Sequence, residues 1–190
     1  MFELFKEIKN FLPYDYDEAE CKRKFLNFLL DNSNCFSRSN LIGHVTAGGL
    51  VCDGKGNILL NHHKASGMWF QFGGHSDGCE DLLRVAKREI KEESGLTDIE
   101  LGVDGIFNLD IVKVPARPNK NEPEHFHYDV NFMFITNNKN FQMSDESMEI
   151  KWVTINEAKR LVNPLDKGML RMIDKYEDYL DNKMQSSKKQ

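Results

Sequence analysis

Between Phe72 and Leu96 the chain reads FGGHSDGCEDLLRVAKREIKEESGL, which holds Glu80, Glu89, Glu92 and Glu93 together with Arg88 between flanking glycines. On a helix of about 3.6 residues per turn, Glu93 lies about 40° to one side of Glu89 and Glu92 about 60° to the other. All three carboxylates therefore fan over one face. Like charges at these spacings repel by a few tenths of a kcal/mol per exposed pair. Leu82 and Val85 precede them on that face, so the acids are expected near the protein body, where unpaired charge is costly. A hard divalent cation such as Mg²⁺ or Mn²⁺ would remove the conflict, because both favour carboxylate oxygens.

The residues that must position these acids are legible around them. Gly73 and Gly74 precede a helix predicted from about Glu80 to Ser94, and Gly95 sits where a C-cap favours positive φ. Upstream, residues 2–12 and 17–31 carry apolar residues at helical spacing, parted by Pro13. GHVTAGGLVCD and ILLNHH, joined by GKGN, read as a β-hairpin. DIELGVDGIFNLDIVKVP reads as one or two strands, HFHYDVNFMFITN as a strand with one buried face, and IKWVTI as another strand. Helices are predicted from INEAKRLV and over 165–181. Strands and helices alternate in mixed order, which predicts an α/β fold around a mixed sheet.

Reading outward from the acids gives Gly74, five residues, Glu80, seven residues, Arg88-Glu89-Ile90, one residue, Glu92-Glu93, one residue, Gly95-Leu96. Every defined position of the Nudix box is met, and the chain resembles the Nudix hydrolases. The resemblance implies an α/β/α sandwich with a mixed β-sheet and Mg²⁺- or Mn²⁺-dependent cleavage of a nucleoside diphosphate linked to another moiety. It further implies Glu89, Glu92 and Glu93 as metal carboxylates, with the carbonyl near Gly73–Gly74 as a further ligand. Arg88 would hold a carboxylate in place, and Glu80 would bond back across the loop-helix turn. The family varies in its general base. Glu89 is one candidate and Glu146, in SDESMEIKWV, is another.

Of the six histidines, the tandem His62-His63 reads as ordinary strand-end residues. His44 opens the first core strand, His75 follows the double glycine, and His127 shares a strand face with Asp129. GHVTAGGLV, GGHSDG and HYDVNFMF fall where isopentenyl-diphosphate isomerases, which are similar in fold, place metal ligands. On that resemblance His44, His75, His127 and Asp129 would converge beside the glutamates as a second metal or phosphate site. The intact box and the Gly73-Gly74 context depart from the isomerase pattern.

The 190 residues suit one domain, divided here into an N-terminal helical extension (1–40), a Nudix domain (41–181) and a polar tail (182–190). A net charge of −5 argues against nucleic acid or anionic membranes as partners. The expected partner is a small nucleotide-type diphosphate, with a homodimer open. Cys21, Cys35, Cys52 and Cys79 form no CxxC pair, no apolar run approaches membrane length, and the acidic N-terminus is unlike a signal peptide. The expected location is the cytoplasm. Trp69, Phe70, Phe107, Phe126 and Tyr128 are candidates to stack a base, and VPARPNKNEPEHF is a candidate lid whose Arg117 and Lys120 could meet phosphate. Three function classes stand: a diphosphate hydrolase, an isomerase of the terpenoid kind, and a silent nucleotide-sensing module.

Overall fold

A computed structural model of the chain describes residues 1–118 and 122–187. Its elements are α1 (Phe2–Asn10), α2 (Tyr16–Asp31), β1 (Gly43–Cys52), β2 (Asn57–His63), β3 (Met68–Phe70), β4 (Phe72–His75), α3 (Leu82–Ser94), β5 (Glu100–Leu101), β6 (Asn108–Val114), β7 (His125–Ile135), β8 (Ser147–Thr154), α4 (Ile155–Leu161) and α5 (Lys167–Ser187). The last helix runs on into the stretch read as tail, and Lys120 lies outside the described residues. No described helix is long and apolar enough to cross a membrane.

The strands form one mixed sheet. β1 pairs with β7 in parallel from Gly43↔Phe126 to Cys52↔Ile135. Its middle, Thr46–Gly49, also pairs antiparallel with β4, and its last residues with β2. β8 extends the sheet from β2 and β6 from β7. Period-two alternation then sends Val45, Ala47 and Val51 to one face and Leu50 and Cys52 to the other. The first face packs against α1, α2 and α3, and the second against α4 and α5. This is the expected α/β/α sandwich.

β3 and β4 are strands that the sequence does not announce. At three and four residues they are too short to show a period, and β4 contains two glycines. Tertiary pairing forms them. Gly73 lies opposite Gly48, and a Cβ on Gly73 would stand 2.8 Å from the Gly48 Cα. The two strands approach closely because neither position carries a side chain.

The N-terminal helices belong to the same core. Phe25 and Phe28 close on Tyr128, and the Phe28 ring stacks on it at 3.8 Å. Tyr128 is thereby a packing residue. The turn between β1 and β2 is held by Asp53, which accepts from the backbone N–H of Lys55 (2.8 Å) and Asn57 (2.9 Å) and from the Lys139 ammonium (2.7 Å). Burial opposes its charge, yet the bonds from Lys139 and Asn57 hold its pKa down at about 2. A depressed carboxylate stabilises the fold above its unfolded value of 3.8 and loses that contribution as pH falls through about 2. Asp53→Asn should therefore lose on the order of 2 kcal/mol near pH 7, at about 1.4 kcal/mol per pKa unit. The gap should narrow between about pH 4 and pH 2 in urea unfolding, and an equal gap at both ends would refute the account.

Candidate active site

Helix α3 is the platform. Asp81 caps it by accepting from the Arg84 N–H at 3.0 Å, and Gly95 ends it in the left-handed region at φ 72°. The helix thus starts at Leu82, and Asp81 does the work expected of Glu80. The Glu80 carboxylate instead pairs with the amino group of Met1. Leu82, Val85, Ala86 and Ile90 bury the sheet-facing stripe. Glu89 and Glu93 follow at the edge of that stripe and are drawn against the sheet.

Glu93 is half-buried and held from two strands. Its Oε2 accepts from Asn61 Nδ2 on β2 at 2.8 Å, and its Oε1 accepts from the Gly73 N–H on β4 at 3.1 Å. Burial pushes its pKa up to about 7 against those bonds, and the Glu89 and Glu146 charges push the same way. Glu89 is also raised by burial, although Arg88 donates to it. The same guanidinium also donates to the His75 carbonyl at 2.8 Å, which ties the helix to the end of β4. Glu92 is 61 % exposed and stands 3.9 Å from Arg88 Nε.

Gly74 explains the double glycine. A Cβ there would sit 2.6 Å from the Glu89 carboxyl carbon, so only glycine lets that carboxylate lie against the strand. Glu146 is exposed on the loop before β8, and its charge reaches Glu93. The structure brings Glu89, Glu93, Gly73 and Gly74 together, with Glu92 largely exposed beside them. Asn61 was not anticipated, because no pattern in ILLNHH separates it from an ordinary strand residue.

The donor set fits a hard cation. It is made of oxygens, its negative charge exceeds what one arginine offsets, and burial works against the charge of Glu89 and Glu93.

The histidines gather on the other face of the sheet. His44 and Thr46 alternate with Val45 and Ala47, which point at α3, and His75 alternates with Gly74. The His44 ring centroid lies 5.0 Å from that of His75 and 4.9 Å from that of His127, and His75 and His127 are 4.9 Å apart. His125 joins them at 5.0 Å from His44 and 5.1 Å from His127. The i, i+2 rule that groups His127 with Asp129 also groups it with His125, so that signal was present in HFH. Asp129 lies two residues beyond His127 along β7, opposite Thr46. It accepts from Thr46, and burial, with the charges of Asp110 and Asp166 added, raises its pKa to about 7. Burial lowers His127 to about 3 and His75 to about 4.

Among the aromatic candidates, Trp69 is covered by His62 at 4.6 Å, nearly parallel, whereas Phe126 is exposed. Arg117 pairs with Glu122 at 3.7 Å.

The family model described as NUDIX domain matches residues 43–176. Among solved structures, an Ap4A hydrolase of C. elegans in a binary complex is similar at 21 % identity and TM-score 0.55, covering 73 % of this chain and 98 % of its own. A MutT protein from Methanosarcina mazei Go1 is similar at 18 % identity and TM-score 0.52, covering 72 % and 94 %. A MutT protein from Bacillus halodurans is similar at 18 % and 0.52, covering 68 % and 79 %. A search of curated protein sequences finds no match.

Proposed function

Because the chain belongs to the Nudix hydrolase family, we propose that it is a divalent-metal-dependent enzyme that cleaves the diphosphate of a nucleoside diphosphate linked to another group. The observation that carries the reading is the seating of Glu89 and Glu93 against the glycine pair of β4, at the one place where a Cβ would collide with the Glu89 carboxylate. Glu89, Glu92 and Glu93, with the carbonyl of Gly74, would hold Mg²⁺ or Mn²⁺. Such an ion neutralises phosphate charge and lowers the pKa of bound water.

The chain's own residues do the rest. Asn61 and the Gly73 N–H fix both oxygens of Glu93. Arg88 fixes Glu89 and clamps it to the end of β4, so the acids are oriented before substrate arrives. A carboxylate outside the ligand set then takes the proton of the attacking water, and we assign that role to Glu146, an exposed acid on the loop before β8 whose charge acts on Glu93. Glu146→Gln should lower kcat by about 10²- to 10⁴-fold with little change in KM. A loss below about threefold would return the base to Glu89.

The test of the reading is a panel of nucleotide sugars, dinucleoside polyphosphates, ADP-ribose, NAD-type dinucleotides and noncanonical nucleoside triphosphates, assayed with Mg²⁺ in ¹⁸O-labelled water. Hydrolysis places the label on one phosphate product and stops when metal is chelated. Turnover of isopentenyl diphosphate without phosphate release or label would replace this reading with the isomerase one. Nucleotide binding without turnover would replace it with the sensing module.

A further inference from the structure

The histidine cluster has no part in the chemistry above. His44, His125 and His127 each offer a ring nitrogen, and these nitrogens lie within 4.8 Å of one another. The His75 ring adjoins both His44 and His127. We propose that His44, His125 and His127 form a site for a divalent transition-metal ion of the zinc class, on the sheet face opposite the carboxylate helix.

Three observations support it. First, His125 Nδ1 lies 2.8 Å from the Pro123 carbonyl, which can only accept. The proton therefore sits on Nδ1, and Nε2 presents a lone pair. A backbone carbonyl that fixes the tautomer of an imidazole is the usual support of a metal-ligating histidine. Second, that lone pair faces His127 Nε2 at 3.3 Å. Two nitrogens each about 2.0–2.1 Å from one tetrahedral zinc stand about 3.3–3.4 Å apart, so the pair already has the spacing of a tetrahedral edge. Third, His44 is 4 % exposed and neither of its ring nitrogens has a partner at good hydrogen-bond geometry, the Asn40 backbone offering at most a weak bond to one of them. A buried imidazole with neither nitrogen well partnered is costly, and a metal bond would satisfy one of them.

The chemistry favours a cation over phosphate. Nitrogen donors select zinc-like ions over Mg²⁺, and the His125 tautomer turns a lone pair, not an N–H, toward the centre. The two arginines near the rings are engaged elsewhere. Arg38 holds Asp77 through two bonds of 2.6 and 2.7 Å, and Arg117 pairs with Glu122. An ion here would pin the first residues of β1 to those of β7.

The assignment does not rest on the diphosphatase reading, and its test removes the carboxylates. The variant Glu89→Gln/Glu92→Gln/Glu93→Gln is titrated with zinc chloride against a chromophoric chelator, and with cobalt chloride by visible absorption. One equivalent of zinc should bind, and cobalt should give the intense bands of tetrahedral nitrogen coordination. Adding His125→Gln or His127→Gln should weaken zinc binding by about 100-fold or more and abolish the bands. His127 is half-buried, so its variant carries the test if the one at buried His125 fails to fold by circular dichroism. Loss of zinc binding with the glutamates alone, or retention after both histidine changes, would overturn the site.

Discussion

Glu93→Gln should abolish diphosphate cleavage while leaving the fold intact. The expected loss in kcat/KM is about 10³-fold or more, equivalent to roughly 4 kcal/mol of barrier, since the carboxylate's charge is needed only where cation and phosphate meet. The fold should tolerate the change because glutamine has the same shape and its carbonyl oxygen can still accept from Asn61 or from the Gly73 N–H. Stability adds an independent signature. Burial raises the Glu93 pKa from 4.5 to about 7. A raised carboxyl contributes most at low pH, and that contribution is lost as pH rises from about 4.5 to about 7. In chelator, the variant should therefore gain on the parent protein over that window. Added Mg²⁺ should raise the melting midpoint of the parent at pH 8 and move the variant far less, because a ligand stabilises only the state that binds it. Full activity in the variant, or an equal Mg²⁺ response from both proteins, would defeat the metal-site assignment.

The contrast among the three acids follows from the same geometry. Glu93 is locked by two donors and Glu89 by Arg88, whereas Glu92 is mostly in solvent. Neutralising Glu92 alone should weaken the apparent affinity for Mg²⁺ without the stability signature, since an exposed carboxylate gains little from losing its charge.

The helix and its acids were legible because their information is local. One face, one cap glycine and fixed spacing lie within a single run of sequence, and the helical period translates spacing into direction. What the sequence withheld depends on pairing at long range. Asn61 is set opposite Glu93 by the register of β2 beside β1, and His125 meets His44 only because β1 and β7 run parallel from their first residues. β4 is a strand because β1 accepts it, not because FGGH favours extension. The sequence grouped Asp129 with the histidines by face alone. Along the strand, however, its neighbours are Thr46 and Asp110, one step further into the sheet. The N-terminal helices illustrate the same limit. Their apolar faces announced that they pack, but not that Phe25 and Phe28 close on the back of the strand that carries His127.

That packing is fixed by a charged residue whose importance the sequence hides. Glu18 is one acid among several in YDYDEAE, yet its side chain is fully buried. It accepts from the Tyr14 N–H at 2.7 Å, from the Leu109 N–H on β6 at 3.1 Å, and from the Lys175 ammonium on α5 at 2.6 Å. Arg171 stands 3.7 Å away and is itself only 3 % exposed. One carboxylate thus joins α2, the sheet and α5; it pairs with Lys175 and shares buried Arg171 with Asp15 and Asp110. Burial lowers the Lys175 pKa even with this partner present. Glu18→Ala would leave the ammonium without its carboxylate and two N–H groups without acceptors, and should cost about 3–5 kcal/mol. That is a large share of the 5–15 kcal/mol typical of a domain. Adding Lys175→Met to Glu18→Ala should restore part of the loss, because it removes the stranded charge and keeps the volume. Urea unfolding of the two single variants and the double variant reads both effects. A loss below about 1 kcal/mol in Glu18→Ala, or no recovery in the double variant, would show that the cations find water and that α2 is held by its apolar face alone.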